Sequence, residues 1–327
     1  MNETQRYIIG EHIEDYEDGL ITRRELLRRV ALITGSASAA FAALIALGCN
    51  LERPGSGGAS PTPSAPAASA PNVGYAIPPG APTTDGITVK PNDPRITVEG
   101  TVSLKAADGA SLIGYLAHPK ESGRHPAIIV IHENRGLVEH IRDVIRRLAT
   151  AGFTAVGIDL VSRQGGADKL TDAAAYQAAL GNRSTADMVK DEQTAIDYIK
   201  VFSFTEASKI GVVGFCFGGG MTWSVLAAGT SVQAAAPFYG PMPQDSAGIA
   251  KTKAAVSAVY AEKDTRITGT KEQMDALLKQ AGVPYQLTVY PGVDHAFHND
   301  TNGPRYDPTQ AQKAWIATIE WFKKYLA

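Results

Sequence analysis

Only two cysteines, Cys49 and Cys216, occur in 327 residues. One ends an apolar run and the other sits in a glycine-rich turn, so no disulfide framework is expected. There is no Cys-x-x-Cys or His-Glu-x-x-His spacing, and the seven histidines are scattered, so the sequence offers no metal-ligand cluster. A basic excess is lacking too. Lys and Arg number 31 against 33 Asp and Glu, a formal charge of −2, which leaves no surplus cations to neutralise phosphates and excludes a nucleic-acid binder. What remains is ordinary for a globular protein: 44% hydrophobic and 20% charged residues. The length admits one large domain or two small ones.

Charge is also missing along 30–48, a run of small and apolar residues that follows Thr22-Arg23-Arg24-Glu25-Leu26-Leu27-Arg28-Arg29. A basic patch before an apolar stretch reads as an export signal. The paired Arg23 and Arg24 resemble the twin-arginine signal, which a transporter of folded proteins recognises. A run of this length could equally remain as a membrane anchor. Cys49 directly follows Ile45-Ala46-Leu47-Gly48, an arrangement that resembles a lipoprotein cleavage site with Cys49 as the lipidated residue. Cleavage elsewhere would release a soluble form. Residues 53–83 are dominated by Pro, Ser, Gly and Ala, a composition that reads as a tether rather than a core. The expected division is an export signal or membrane anchor over 1–49, a linker over 50–94 and a catalytic domain over 95–327. The expected location is outside the cytoplasm, free or membrane-anchored.

From residue 95 the pattern becomes regular. Alternation over 96–105 and 111–117 around Asp108-Gly109 predicts a hairpin. Apolar strand-like runs follow at 127–131, 154–158, 210–214, 234–238, 254–260 and 285–290. Helical patterns lie between or after them at 138–149, 186–198, 219–228, 269–281 and 309–325. Buried strands alternating with helices predict an α/β protein with a mostly parallel central sheet of about eight strands, flanked by helices.

The most informative stretch is Ile210-Gly211-Val212-Val213-Gly214-Phe215-Cys216-Phe217-Gly218-Gly219. A strand runs into Gly-x-Cys-x-Gly and then into a helix, the nucleophile-elbow pattern of α/β-hydrolases with sulfur in place of the usual serine oxygen. The helix start favours thiolate over thiol. Asp264 follows a late strand and His295 follows the last one, so nucleophile, acid and histidine come in the α/β-hydrolase order. Cys216, His295 and Asp264 are therefore the expected triad, with Glu262 the alternative acid.

On these residues, together with His132-Glu133-Asn134-Arg135-Gly136 after the third strand and His295-Ala296-Phe297, the chain from 95 onward resembles the dienelactone hydrolase family, the carboxymethylenebutenolidases. The resemblance implies that Glu133 contacts the resting thiol and helps draw off its proton. It also implies an oxyanion hole made by the backbone N–H groups of Phe217 and Asn134. A loop acid capping the helix that follows is the simpler reading of Glu133. Family members acting on dienelactone carry an arginine four positions after the histidine, where this chain has Asn299, preceded by His298. Arg135, Arg163 and Arg183 are candidates for holding a substrate carboxylate, Arg135 foremost because it is two residues from Glu133. The expected activity is hydrolysis of a lactone or small ester, favouring one that bears a carboxylate, without a cofactor. A general esterase or thioesterase is the alternative, and a thiol sensor on the same fold a remoter one. The expected partners are that substrate and the twin-arginine export machinery, with a membrane tether through the N-terminus as a further possibility.

Overall fold

The computed structural model describes residues 1–49, 51 and 87–327. They fall into two compact units: the described part of 1–76 with Leu170–Ser184, and the described part of 77–327 without that insert.

The larger unit is organised on one sheet. Its strands are β1 (Ile96–Lys105), β2 (Ser111–Pro119), β3 (His125–Ile131), β4 (Thr154–Ile158), β5 (Thr205–Phe215), β6 (Ala234–Phe238), β7 (Ala255–Ala261) and β8 (Tyr285–Tyr290). They lie in the order β1-β2-β4-β3-β5-β6-β7-β8. β1 and β2 form the antiparallel hairpin, β2 runs antiparallel to β4, and every pairing from β4 to β8 is parallel. Edge strand β1 alternates half-buried and exposed residues because one face meets water, whereas β4, β6 and β7 are buried throughout. Strands covered on both faces must be apolar on both. Ile128, Ile129, Val130 and Ile131 of β3 are fully buried, each contributing roughly 1.5–3 kcal/mol.

The helices, in chain order, are α1 (Glu3–Glu17), α2 (Arg23–Thr34), α3 (Ala37–Ala46), α4 (Glu139–Thr150), α5 (Gly166–Lys169), α6 (Ala173–Gly181), α7 (Thr185–Lys200), α8 (Phe217–Ala227), α9 (Thr265–Thr268), α10 (Lys271–Ala281) and α11 (Pro308–Tyr325). Two boundaries differ from the sequence pattern for physical reasons. β5 begins at Thr205 rather than 210, because its first residues are polar and pair with β3 only across a register shift between His125 and Ala127. α8 begins directly after Cys216, so the glycines expected to precede the helix form its first turn.

In the smaller unit α2 packs against α1, α3 and α6. Side chains of Asn2, Thr22 and Ser36 cap the first three helices, and Asn2 also donates to the Gly181 carbonyl at 2.8 Å. α6, an alanine-rich helix without an amphipathic period, gave no signal in the sequence. Among the described residues no single helix is long and apolar enough to cross a membrane. α2 and α3 together pass on length and composition but are bent by 103°.

Most of the expected linker, 50 and 52–86, lies outside the described residues. Its tail is tied to the larger unit. Thr88 and Val89 donate their N–H groups to the Asp143 carboxylate on α4 at 3.0 and 2.8 Å, and Arg146 Nε donates to the Val89 carbonyl.

Candidate active site

Five strands deliver the site at their carboxyl ends, the edge where open parallel sheets carry their ligands. Cys216 sits between β5 and α8 with φ 57° and ψ −120°, a conformation that a non-glycine residue adopts only where its surroundings enforce it. The enforcement is backbone against backbone. A Cβ on Gly218 would lie 2.2 Å from the Ile131 carbonyl oxygen, and one on Gly214 would lie 2.0 Å from that of Gly218. The Cys216 N–H is tied to the Phe238 carbonyl at 3.1 Å. Among the described residues Tyr239 (φ 36°) and Ala296 (φ 64°) are the other non-glycine residues at positive φ, and both border the same site.

His295 and Asp264 meet as the sequence predicts. Asp264 Oδ2 is 2.6 Å from His295 Nδ1, and both side chains are buried. Asp264 also caps α9, accepting from the Ile267 N–H at 3.3 Å. Burial pushes its carboxyl pKa up, but the His295 charge and hydrogen bond, with Arg266 and the Ile267 N–H, outweigh it and leave the pKa lowered. An ionised Asp264 can only accept, so Nδ1 carries the His295 proton and Nε2 is the acceptor of the neutral ring. Cys216 Sγ lies within 4.8 Å of a ring nitrogen of His295. Glu262, the alternative acid, does something else: it accepts the Gly292 N–H at 2.7 Å and holds the turn after β8.

Glu133 leaves β3 beside β5. Ile131 pairs with Gly214, so Glu133 and Cys216 each stand two residues beyond a paired register. Its carboxylate is buried and accepts from Asn299 Nδ2 at 2.6 Å. The helix-cap reading fails, since α4 has no side-chain cap at its N-terminus. His132 fixes the turn that carries Glu133. Its Nε2 accepts the Leu160 N–H at 3.0 Å, so its Nδ1 donates, at 2.6 Å, to the Glu133 carbonyl. Burial lowers the His132 pKa and keeps the ring neutral.

The loop after His295 is held from α4. Asp300 pairs with Arg147 and, at 2.9 Å, with His140 Nδ1, while Arg147 also pairs with Asp143 at 2.6 Å. All four side chains are buried. His298 packs among Phe215, Phe238 and Trp315 with ring centroids 5.0, 5.3 and 5.6 Å away. Burial, with Arg147 and His140 nearby, drives its pKa well down. Tyr239 is a further member that the sequence reading missed. Its ring meets His295 edge-on at 5.0 Å, and burial together with the Glu133 and Cys216 charges pushes its phenol pKa well up. Tyr239 directly follows β6, the strand beside β5, at the same sheet edge.

The remaining candidates separate. Phe217 opens α8, and Asn134 follows Glu133 on the neighbouring strand end. Arg135 is exposed. Arg163 is committed to Asp191 and Asp108 at 2.6 and 2.8 Å, and Arg183 belongs to the smaller unit. Cys49 is buried after α3, where burial and the Glu17 carboxylate raise its thiol pKa.

Comparison with known proteins places the chain in a family. The profile of the dienelactone hydrolase family matches residues 112–326. A protein of Methylorubrum extorquens, provisionally named a carboxymethylenebutenolidase, is 32% identical over 239 residues, covering 70% of this chain and 81% of its own. An Escherichia coli protein provisionally given the same name is 31% identical over 264 residues, covering 76% and 94%. A Klebsiella pneumoniae crystal structure, provisionally named a dienelactone hydrolase, superposes with a TM-score of 0.64 at 29% identity, covering 70% of this chain and 99% of that one. The chain belongs to the dienelactone hydrolase family and is a carboxylic ester hydrolase.

Proposed function

We propose that the protein hydrolyses a lactone or small carboxylic ester through a Cys216-His295-Asp264 triad and an acyl-enzyme. The observation that carries this reading is the buried Asp264–His295 pair, 2.6 Å apart, with its ring within 4.8 Å of a cysteine held in a strained strand-to-helix turn. His295 Nε2 takes the thiol proton, and the sulfur attacks the carbonyl carbon. The N–H groups of Phe217 and Asn134 receive the oxyanion, each worth about 3 kcal/mol. As the tetrahedral intermediate collapses, the carbon–oxygen bond breaks and His295 returns its proton to the leaving alkoxide. A water molecule, deprotonated by the same nitrogen, then attacks the thioester and releases the acid and the free thiol. Asp264 orients the ring and stabilises its cationic form.

Steady-state turnover of 4-nitrophenyl butyrate by Cys216→Ala tests the assignment. A loss of at least about 1,000-fold in kcat is expected for removal of a covalent nucleophile; activity within 10-fold of wild type would rule Cys216 out. The N-terminal features support export through the twin-arginine route: Arg23 and Arg24 open α2, and the uncharged run follows them. Retention of Arg23→Lys/Arg24→Lys protein in the cytoplasm would test it, and unaltered export would exclude that route. A tether through Cys49 belongs to the same reading and is checked by mass analysis of the mature N-terminus.

A further inference from the structure

Glu133 is an anion whose partner is neutral. The residue is 7% exposed, and its one side-chain donor among the described residues is the Asn299 amide at 2.6 Å. The orientation of that amide is fixed. Asn299 Oδ1 accepts both the Thr301 N–H at 2.9 Å and the Thr301 hydroxyl at 2.7 Å, so the amide nitrogen must face Glu133. Among the described residues Glu133 enters no ion pair. The buried guanidinium nearest in the network, Arg147, is already shared by Asp143 and Asp300. Arg163 is held between Asp108 and Asp191, and Arg135, two residues along, is exposed.

The position of this uncompensated charge matters because of the sheet register. Glu133 and Cys216 leave adjacent strands two residues past the same pair, and Gly218 packs directly on the carbonyls of Ile131 and His132. An acyl group seated on Cys216 therefore meets the Glu133 carboxylate in a region of weak screening. A second negative charge there is repelled. A hydroxyl or amide N–H can instead donate to Glu133.

We propose that the Glu133–Asn299 pair is a charge filter that selects uncharged esters and lactones and rejects acyl groups bearing a carboxylate. The proposal rests on acyl transfer at Cys216 and narrows its substrate class.

Two esters with four-carbon acyl groups, 4-nitrophenyl butyrate and 4-nitrophenyl hydrogen succinate, differ by that one charge. Wild-type kcat/KM is expected to favour butyrate by roughly 10- to 100-fold at low ionic strength, the order expected for one weakly screened like-charge contact. Asn299→Arg and Glu133→Gln should each compress that ratio at least about 5-fold, whatever they do to the absolute rates. The ratio in the wild-type protein stands even if a variant folds poorly. Equal rates, or a preference for the succinate ester, would overturn the proposal. A wild-type ratio that both variants leave unchanged would overturn its assignment to this pair. Turnover of neither ester would instead remove the acyl-transfer reading, and the filter with it.

Discussion

The elbow around Cys216 and the loop from Val293 to Thr301 both present a reacting side chain at one sheet edge, yet they are held by opposite means. At the elbow the restraint is steric and local. Gly214, Gly218 and Gly219 leave no room for a Cβ, because carbonyl oxygens stand 2.0 to 2.3 Å from where each would sit. The loop is held by polar contacts reaching far along the chain: His295 to Asp264, Asn299 to Glu133, and Asp300 to Arg147 and His140 on α4. A steric restraint cannot be adjusted without breaking the turn. A polar one can change a partner while the histidine stays in register. Cys216 is thus held by the fold itself, and His295 by contacts assembled on top of it.

Breaking the steric half has the largest effect. Gly218→Ala should cost about 4–5 kcal/mol or prevent folding, because only backbone can yield. The measurement is the urea midpoint beside that of Gly229→Ala, where nothing lies within 4 Å of the new Cβ and about 1 kcal/mol is expected from the positive φ alone. Equal losses would deny the elbow its special rigidity.

Breaking the polar half comes next. Arg147→Met leaves the buried Asp300 carboxylate without a guanidinium and takes one of two from Asp143, and should cost about 3–4 kcal/mol in the same assay. Adding Asp300→Asn should return part of that loss, since it neutralises one stranded charge. A double variant as unstable as the sum of the singles would contradict the network.

The smallest effect is a pH dependence. The His298 pKa is driven well down in the fold while the unfolded chain titrates near about 6.5. The unfolded state therefore binds more protons between those values. The contribution is complete above about pH 6.5 and is lost as pH falls below it, by up to about 1.4 kcal/mol per pH unit. His132, lowered in the same direction, adds to the slope. His298→Phe, filling an aromatic site, should flatten the decline in Tm between pH 7 and pH 5. An unchanged slope would place the acid sensitivity elsewhere.

The same contrast explains what could be read from the sequence. β4 and β6 fall where apolar runs placed them, since continuous burial leaves a direct trace. The elbow was legible because its restraint is local and its glycines adjoin the cysteine. Asp264 and His295 could be ordered by strand position and Asp264 preferred to Glu262, while the 2.6 Å contact itself is visible only in three dimensions. The Arg147–Asp300 and Asn299–Glu133 pairs span more than 150 residues, and nothing in a single sequence couples such positions. Tyr239 was hidden for another reason: in a strand-end sequence its aromatic ring reads as core. Thr205 to Lys209 of β5 were missed because a partly exposed polar extension carries no burial pattern.

The most direct test of acyl transfer at Cys216 is rapid-quench intact-mass spectrometry of wild-type protein mixed with 4-nitrophenyl butyrate, followed by peptide mapping. The account predicts one butyryl adduct per chain on the Cys216 peptide, rising within the first turnover and absent from Cys216→Ala. A protein that turns the ester over with no adduct, or with the adduct on another residue, would contradict it.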